Sequence, residues 1–286
     1  MTAAGPGVVF AAAMSHAPHI SAFPELAEPS QREAIYAAMS ELGRQLRAAD
    51  PDVLVLVSSD HFTNLGPADS TQFLVGSGSV FHGPVEDWIG IERREVNGSM
   101  RDAAEIFGEI TRVASRVRAA PIRLEHGVMT PLRWLDPDGL LPLVPVLQNC
   151  MTPPLPALAE CYAVGEALAR AAARTGRRIA VVGTGGLSHA PGAPEAGYID
   201  EGFDREFLEL LRHAEIARIL GLPGDRVDRA GFGAWEIRQW VTALGASSAA
   251  PARVLAYEPV AGWDIGCAVA RFGPGSPAAR APGQDA

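Results

Sequence analysis

The sequence predicts a single-domain α/β protein with a central mixed sheet flanked by helices. Short apolar runs alternate with longer segments of helical periodicity, as in proteins whose helices cover the faces of a sheet. The chain has 286 residues and a hydrophobic content of 48%, which is enough for one substantial core. No repeat or linker divides it. We therefore expect residues 1–273 to form the domain and residues 274–286, rich in Pro, Gly and Ala, to form a flexible C-terminal tail.

Each element is predicted from its own pattern of apolar residues. Six apolar runs of strand length are candidate strands: Val8–Met14, Val53–Ser58, Leu141–Leu147, Ile179–Val182, Val254–Tyr257 and Ile265–Val269. Five longer segments have an apolar stripe with helical spacing: Gln31–Ala49, Ser99–Val117, Leu155–Arg174, Asp204–Leu220 and Trp235–Leu244. In an open sheet of this kind, ligands bind at the carboxyl ends of the strands.

The composition excludes several classes of function. All 24 basic residues are arginine, and the net charge is −9. A chain without lysine has no Schiff-base lysine, no lysine anchor for pyridoxal phosphate and no P-loop lysine. The negative charge disfavours nucleic acid and anionic membranes as partners. The glycine-rich segment at 183–186 lacks the third glycine of a dinucleotide loop, and neither H-E-x-x-H nor G-x-S-x-G occurs.

Two observations bear on the cellular compartment. The cysteines Cys150, Cys161 and Cys267 are far apart and odd in number, so we interpret them as buried, reduced thiols. The N-terminal segment lacks a basic region, and no apolar stretch reaches membrane-spanning length. The sequence therefore predicts a cytoplasmic protein that does not contact membranes.

Four of the seven histidines lie in short motifs at strand or loop ends. His16 lies in Ser-His-Ala-Pro, together with His19, while His61 lies in Asp-His-Phe, His126 in Glu-His-Gly-Val and His189 in Leu-Ser-His-Ala-Pro. A single histidine of this kind is usually structural, but several together favour a functional site. Two histidines and one carboxylate on one face of Fe(II) leave positions open for substrate and O₂.

Glu236 is the candidate carboxylate for such a metal site. It begins a predicted helix whose apolar stripe includes Ile237 and Trp240, which places the carboxylate on the flank of that stripe. An equally simple interpretation is that Glu236 complements the helix dipole. Asp60 has two interpretations as well, since it can cap a turn or support His61. The sequence leaves both alternatives open.

These motifs, in this order, resemble those of the class III extradiol dioxygenases, the superfamily of the protocatechuate 4,5-dioxygenase large subunit. The segments S-H-A-P, D-H-F, E-H-G-V-M-T-P-L, G-T-G-G-L-S-H-A-P and W-E-I-R-Q-W-V are most similar to those of the 2,3-dihydroxyphenylpropionate 1,2-dioxygenases. The resemblance extends from about Ala11 to beyond Trp263. It implies meta cleavage of a catechol-like or aminophenol-like ring with both atoms of O₂, as part of aromatic catabolism.

The resemblance also implies roles for individual residues. His16, His61 and Glu236 would bind Fe(II), His189 would be the base that deprotonates the catechol, and His126 would be an acid in the later rearrangement. It implies an aromatic substrate and O₂ as partners, a homo-oligomeric protein, and allows for a small partner subunit.

Two positions differ from the family pattern, and two other classes of function compete. Glu125 replaces an aspartate and Trp235 a histidine; both border the inferred site, so we expect them to affect the choice of substrate. A non-catalytic interaction protein could have the same fold. A zinc-dependent hydrolase could use the same ligands, and metal analysis would separate it from the dioxygenase.

Overall fold

The computed structural model of the protein describes residues 5–194 and 196–273. Its main feature is an eight-stranded mixed sheet in the order β6-β3-β7-β2-β8-β1-β10-β9, accompanied by a separate β4-β5 hairpin. The strands are β1 Gly7–Met14, β2 Val53–Ser58, β3 Phe73–Gly76, β4 Val80–Gly83, β5 Arg94–Asn97, β6 Val117–Ala120, β7 Leu143–Gln148, β8 Arg178–Thr184, β9 Ala252–Val260 and β10 Ile265–Phe272. The four central strands β7, β2, β8 and β1 are parallel, whereas β3, β10 and β9 introduce antiparallel pairs.

Helices cover both faces of this sheet. They are α1 His19–Ala22, α2 Pro29–Ala48, α3 Met100–Ile110, α4 His126–Leu135, α5 Leu158–Thr175, α6 Glu201–Arg212, α7 Ile216–Leu220, α8 Gly224–Arg229 and α9 Ile237–Ala246. Alternate residues of β2 face opposite sides, so Val55 packs in a core with α3, α5, α6 and α9 while Leu56 packs in a second core with α2 and α4. The predicted α/β architecture with a central mixed sheet and flanking helices is confirmed.

The predicted strands and helices are present, with two corrections to the helices. The segment Ser99–Val117 was predicted as one helix, but α3 ends at Ile110 and Val117 begins the edge strand β6. Pairing with β3 therefore overrides the local helical pattern there. The segment Asp204–Leu220 is two helices, because Ala214 has a positive φ of 50° between α6 and α7. The predicted tail, residues 274–286, lies outside the described residues.

No helix among the described residues is long and apolar enough to cross a membrane. The cysteines Cys150, Cys161 and Cys267 are free and buried, as the sequence predicts. Burial raises the pKa of Cys150 and of Cys267 to about 12, so both remain protonated thiols.

The contact between α5 and α9 is unusually close, and it fixes the helix that follows Glu236. A Cβ at Gly165 would lie 2.0 Å from the carbonyl oxygen of Thr242, and one at Gly245 would lie 2.2 Å from that of Tyr162. Only glycine at these two positions allows the helix backbones to approach so closely. The position of α9 against the sheet therefore depends on this contact.

We expect Gly165→Ala to destabilise the protein by about 3 kcal/mol, because the new methyl group must push α5 and α9 apart. Urea denaturation monitored by circular dichroism measures the change. Gly108→Ala is the matched control: Gly108 lies in α3, and a Cβ there meets no atom within 4 Å. That substitution should stabilise the protein by about 0.5–1 kcal/mol, because alanine has the higher helix propensity. Equal effects of the two substitutions would contradict this account.

Candidate metal and substrate site

Three neighbouring parallel strands end at one edge of the sheet, and each is followed by a candidate histidine. The order β2-β8-β1 places these strand ends side by side. His61 follows β2, His189 follows β8 and His16 follows β1. Because parallel strands share one direction, the three loops leave from the same edge, where α/β proteins bind their ligands.

Glu236 is the carboxylate on which these loops converge. It ends a short 3-10 turn before α9, and its side chain is 2% exposed. Its Oε1 lies 3.2 Å from His16 Nε2 and 3.3 Å from His61 Nε2, and it accepts a hydrogen bond from Ser59 Oγ. Its Oε2 accepts a hydrogen bond of 2.7 Å from the N–H of Gly186. Glu236 makes no capping hydrogen bond to α9, so the dipole interpretation gains no support.

The hydrogen bonds of His16 leave its Nε2 as the free ring atom. Its Nδ1 lies 3.1 Å from Thr184 Oγ1, whose own hydrogen is directed to backbone carbonyls, including that of Gly127 at 3.1 Å. Thr184 Oγ1 then accepts from Nδ1–H, and Ser58 Oγ, 3.4 Å from Nδ1, can accept from the same hydrogen, which assigns the lone pair to Nε2. That Nε2 atom is buried and has no hydrogen-bond partner among the described residues, although it lies close to Glu236.

His61 also directs its Nε2 to Glu236, and its other ring nitrogen is held by a carboxylate instead of a hydroxyl. Its Nδ1 lies 2.8 Å from Glu125 Oε2, so Nδ1–H donates and Nε2 faces Glu236. A carboxylate behind a histidine is the usual support of a metal ligand. Asp60 does not take this role: it accepts hydrogen bonds from the N–H groups of Asn64 and Leu65, so it caps a turn.

The electrostatics of this cluster favour a cation. Burial lowers the pKa of His16 and keeps its ring neutral. Burial also lowers the pKa of His61, but Glu125 and Glu236 outweigh it and raise that pKa well above its ordinary value. Burial raises the pKa of Glu236, but His16 and His61 outweigh it and hold that pKa well below the ordinary range. Carboxylates that stabilise a proton on a neighbouring histidine also stabilise a metal cation at that position, because both carry positive charge.

His126 and His189 lie beside this cluster. His126 Nδ1 lies 2.7 Å from Glu86 Oε1 and 3.3 Å from Glu125 Oε2. His189 Nδ1 lies 2.9 Å from the carbonyl oxygen of Leu187, which can only accept, so Nδ1 carries the hydrogen. His189 Nε2 is then the free atom, and it lies 3.9 Å from Glu236 Oε2.

Close packing of the loop after β8 brings His189 to the site. A Cβ at Gly185 would lie 2.6 Å from Glu236 Oε2, and Gly185 has a φ of 123°. Glycine is required there by space and by conformation.

A cavity of about 210 Å³ opens onto the histidines. By comparison, an apolar cavity of roughly 150 Å³ is enough to hold benzene. A larger groove of about 510 Å³ lies at the β4-β5 hairpin and is lined by arginines, but it contains none of the clustered histidines. The lining residues of the smaller cavity are His16, Ala17, Pro18, His19, His61, His126, His189, Pro191, Trp263 and Asp264.

Two groups among the described residues have the spacing to hold a metal ion. His16, His61 and His126 have ring nitrogens within 4.8 Å of one another, and Glu86, Glu125 and His126 form a second group. Glu236 lies within 3.3 Å of two histidines of the first group. The structure therefore brings the predicted residues His16, His61, His126, His189 and Glu236 to one place.

Several residues that support the site were not identified from the sequence. Thr184 and Glu86 orient His16 and His126 but lie far from them in the chain. Asp204, at the start of α6, accepts hydrogen bonds from Ser188 N–H, Ser188 Oγ and Tyr257 Oη at 2.8–2.9 Å, and so holds the loop that carries His189. Glu125 was noted only as a departure from the family pattern. A buried acidic residue at a helix start gives no local signal of such a contact.

The fold and the site define an α/β protein with histidines and carboxylates suited to a divalent metal beside a small cavity. Residues 10–268 match the family described as the catalytic LigB subunit of aromatic ring-opening dioxygenases. The chain belongs to this family and is an extradiol ring-cleaving dioxygenase, as the motif resemblance predicts. This finding favours the enzyme over a non-catalytic interaction protein.

Curated relatives carry consistent names. A 2,3-dihydroxyphenylpropionate/2,3-dihydroxicinnamic acid 1,2-dioxygenase of Paraburkholderia phymatum is 28% identical, with 77% of this chain and 83% of that protein covered. A protein of the same name from Pseudomonas putida, numbered 1, is 27% identical, with 88% and 95% covered. The crystal structure of an uncharacterized Escherichia coli K12 protein matches with a TM-score of 0.54 and 16% identity, covering 83% of this chain and 92% of that one. That last likeness concerns the fold alone.

We expect Asp204 to make the protein less stable as the pH rises from about 4 to about 6. Burial raises the pKa of Asp204 from 3.8 to about 6, so in this range the folded protein keeps a proton that the unfolded chain has lost. The unfolding free energy of the wild type, relative to Asp204→Asn, should fall by up to about 3 kcal/mol across this range and then level off. Denaturant titrations at several pH values measure the difference. If the difference in unfolding free energy between the wild type and Asp204→Asn did not change with pH, Asp204 would not titrate in this range.

Proposed function

We propose that this dioxygenase uses Fe(II), held by His16, His61 and Glu236, to cleave a catechol-like or aminophenol-like ring next to its oxygen substituents. The observation that carries the proposal is the common approach of His16 Nε2 and His61 Nε2 to one oxygen of Glu236, at 3.2 and 3.3 Å. Three ligands in this set leave adjacent positions for the substrate and O₂.

The donor atoms fit a divalent metal. The Nε2 of His16 is buried without a hydrogen-bond partner among the described residues, which is costly for a ring nitrogen unless a ligand satisfies it. The Nδ1 of each histidine is already engaged, by Thr184 and by Glu125. Once a metal displaces the proton that Glu125 and Glu236 favour on His61, both Nε2 lone pairs would be directed to the position of that metal.

Glu236 is favoured over His126 as the third ligand. Glu236 supplies the negative charge that two neutral histidines lack, and His126 would add only a third imidazole. Iron(II), when bound, would supply the electron transfer to O₂ and make the hydroxyl protons of the substrate more acidic. Zinc would accept the same ligands but lacks this redox chemistry, so the family assignment favours iron.

The remaining two histidines have positions suited to proton transfer. His189 carries its hydrogen on Nδ1, so its Nε2 lone pair can take a proton from a substrate hydroxyl in the cavity. His126 Nδ1 donates to Glu86, so a proton carried by this ring lies beside the carboxylates of Glu86 and Glu125. From the opposite ring atom, His126 can return a proton as the ring opens. These are the roles of base and acid that the motifs predict.

The overall reaction balances without an external reductant. One carbon–carbon bond beside the diol breaks, and both oxygen atoms of O₂ enter the product, a hydroxymuconic semialdehyde type of compound. The relatives are named for dihydroxyphenylpropionate and dihydroxycinnamic acid. For this chain we propose only the class of ring, catechol-like or aminophenol-like, as the substrate. A cytoplasmic location, a homo-oligomeric state and a small partner subunit stay predictions from the sequence.

We expect Glu236→Gln to lower the affinity for Fe(II) roughly hundredfold or more and to abolish ring cleavage, because it removes the anionic ligand while preserving its shape. Iron content after anaerobic loading and the yellow absorbance of the product measure the two effects. Glu95→Gln, at a side chain that is 73% exposed, is the control and should change neither. His126→Ala should still bind iron; loss of iron in His126→Ala with retention in Glu236→Gln would reverse the ligand assignment.

Isotope labelling tests the reaction itself. With Fe(II) and a cleaved catechol, both atoms of ¹⁸O₂ should enter one ring-opened product. The proposed reaction would be ruled out if the folded, iron-loaded protein gave no ¹⁸O-labelled product from any catechol, aminophenol or gallate tested.

We expect His189→Ala to lower kcat roughly hundredfold or more, because the base that accepts the hydroxyl proton is lost. Steady-state kinetics with one substrate in the wild type and the variant measure the change. His82→Ala, at a side chain that is 72% exposed on the β4-β5 hairpin, is the control and should match the wild type. An unchanged kcat in His189→Ala would show that another group is the base.

A further inference from the structure

The cavity beside the histidines has an acidic residue at its outer part and no basic side chain except histidine. Its described lining contains no arginine, and the chain has no lysine. Asp264 is the charged residue of the lining that lies outside the histidine cluster. A ring substituent that extends from the cluster therefore meets a carboxylate rather than a guanidinium.

The surroundings of Asp264 hold it in place but leave one of its oxygens free. Its Oδ1 accepts a hydrogen bond from the N–H of Gly197, and the described residues provide no partner for Oδ2. The residue has a left-handed backbone, φ 56° and ψ 39°, in the turn between β9 and β10. The adjacent Trp263 is buried, and its Nε1–H donates to the carbonyl of Phe23 at 3.1 Å, so this turn is anchored.

The inner part of the site is also rich in carboxylates. Glu236 lies among the histidines, and Glu125 and Glu86 lie behind His61 and His126. A divalent metal balances part of this negative charge, but a deprotonated ring adds to it, and the described lining has no arginine to compensate a further anionic group. A substituent with a carboxylate would be repelled, and one with an ammonium group would be attracted.

We propose that this cavity selects catechols with a positively charged ring substituent, an ammonium group on a short chain, and that Asp264 is the residue that recognises it. This inference rests on the proposed function and specifies its substrate class. The curated relatives, in contrast, are named for propionate and cinnamate acids, whose substituents carry a negative charge. Asp264 is thus a specificity residue for the ring substituent.

The test uses three catechols with side chains of equal length, a 3-aminopropyl, 2-carbamoylethyl or 2-carboxyethyl substituent, each at the 3- and the 4-position. Dissociation constants are measured by anaerobic calorimetry with the metal-loaded protein, and kcat/KM is measured under air. We expect the amine to bind about tenfold or more tightly than the carboxylate, with the amide between them. Because the interaction is partly exposed to solvent, the preference should shrink as salt is added.

Asp264→Asn isolates the charge of the side chain. Asparagine tolerates the left-handed backbone and can still accept from Gly197, so the turn should be kept. In this variant the ratio of amine to carboxylate affinity should fall about tenfold. Asp50→Asn is the matched control, because Asp50 also has a positive φ, of 47°, but is exposed and precedes β2, away from the carboxyl ends of the strands. It should leave every constant unchanged.

The outcomes separate the inference from the proposed function. A carboxylate that binds as well as the amine, or a preference that Asp264→Asn leaves intact, overturns the inference. If catechol is bound but never cleaved, the proposed reaction fails, while the dissociation constants still decide the preference. If none of the catechols binds, the inference is overturned together with the proposed substrate class.

Discussion

A buried carboxylate is the feature on which the rest of this site depends. Glu236 is almost fully enclosed, and its described neighbours within hydrogen-bonding distance are two imidazoles, a serine hydroxyl and a backbone N–H. A charge in such a position is costly unless its partners are held in place. These partners come from the ends of three parallel strands, so the order of the sheet is what makes a charged Glu236 tolerable. Folding therefore also assembles the proposed metal site, and a metal bound there should add to the stability of the fold.

The sequence predicts the inner part of the fold better than its margins. The central strands β2 and β8 are continuous apolar runs because both of their faces are buried, and such runs are recognisable without a structure. The edge strand β6 and the β4-β5 hairpin are half exposed and short, so they lack a distinctive pattern. The end of α3 at Ile110 depends on β6 pairing with β3, which is a contact between distant segments.

The same distinction applies to the site. The histidines were recognisable because each follows a predicted strand or lies in a known motif, and Glu236 because it begins a predicted helix. Their orienting partners were not, since Thr184 and Glu86 contact histidines that are distant in the chain. Glu125 precedes His126, yet its closer contact is with His61, at 2.8 Å against 3.3 Å. Which ring nitrogen is free, and so which atom can bind a metal or carry a proton, is decided by these long-range contacts.

The hairpin formed by β9 and β10 has a consequence for how enzymes of this kind diversify. The proposed metal ligands follow parallel strands or directly precede α9 inside the protein, whereas Asp264 lies in the turn of an antiparallel pair that includes the edge strand β9. A turn at the edge of a sheet tolerates substitutions, insertions and deletions that an inner strand does not. The turn that we propose to contact the ring substituent can thus change while the proposed residues of ring opening stay the same. Laboratory evolution of new substrate ranges would accordingly begin with libraries in residues 261–264.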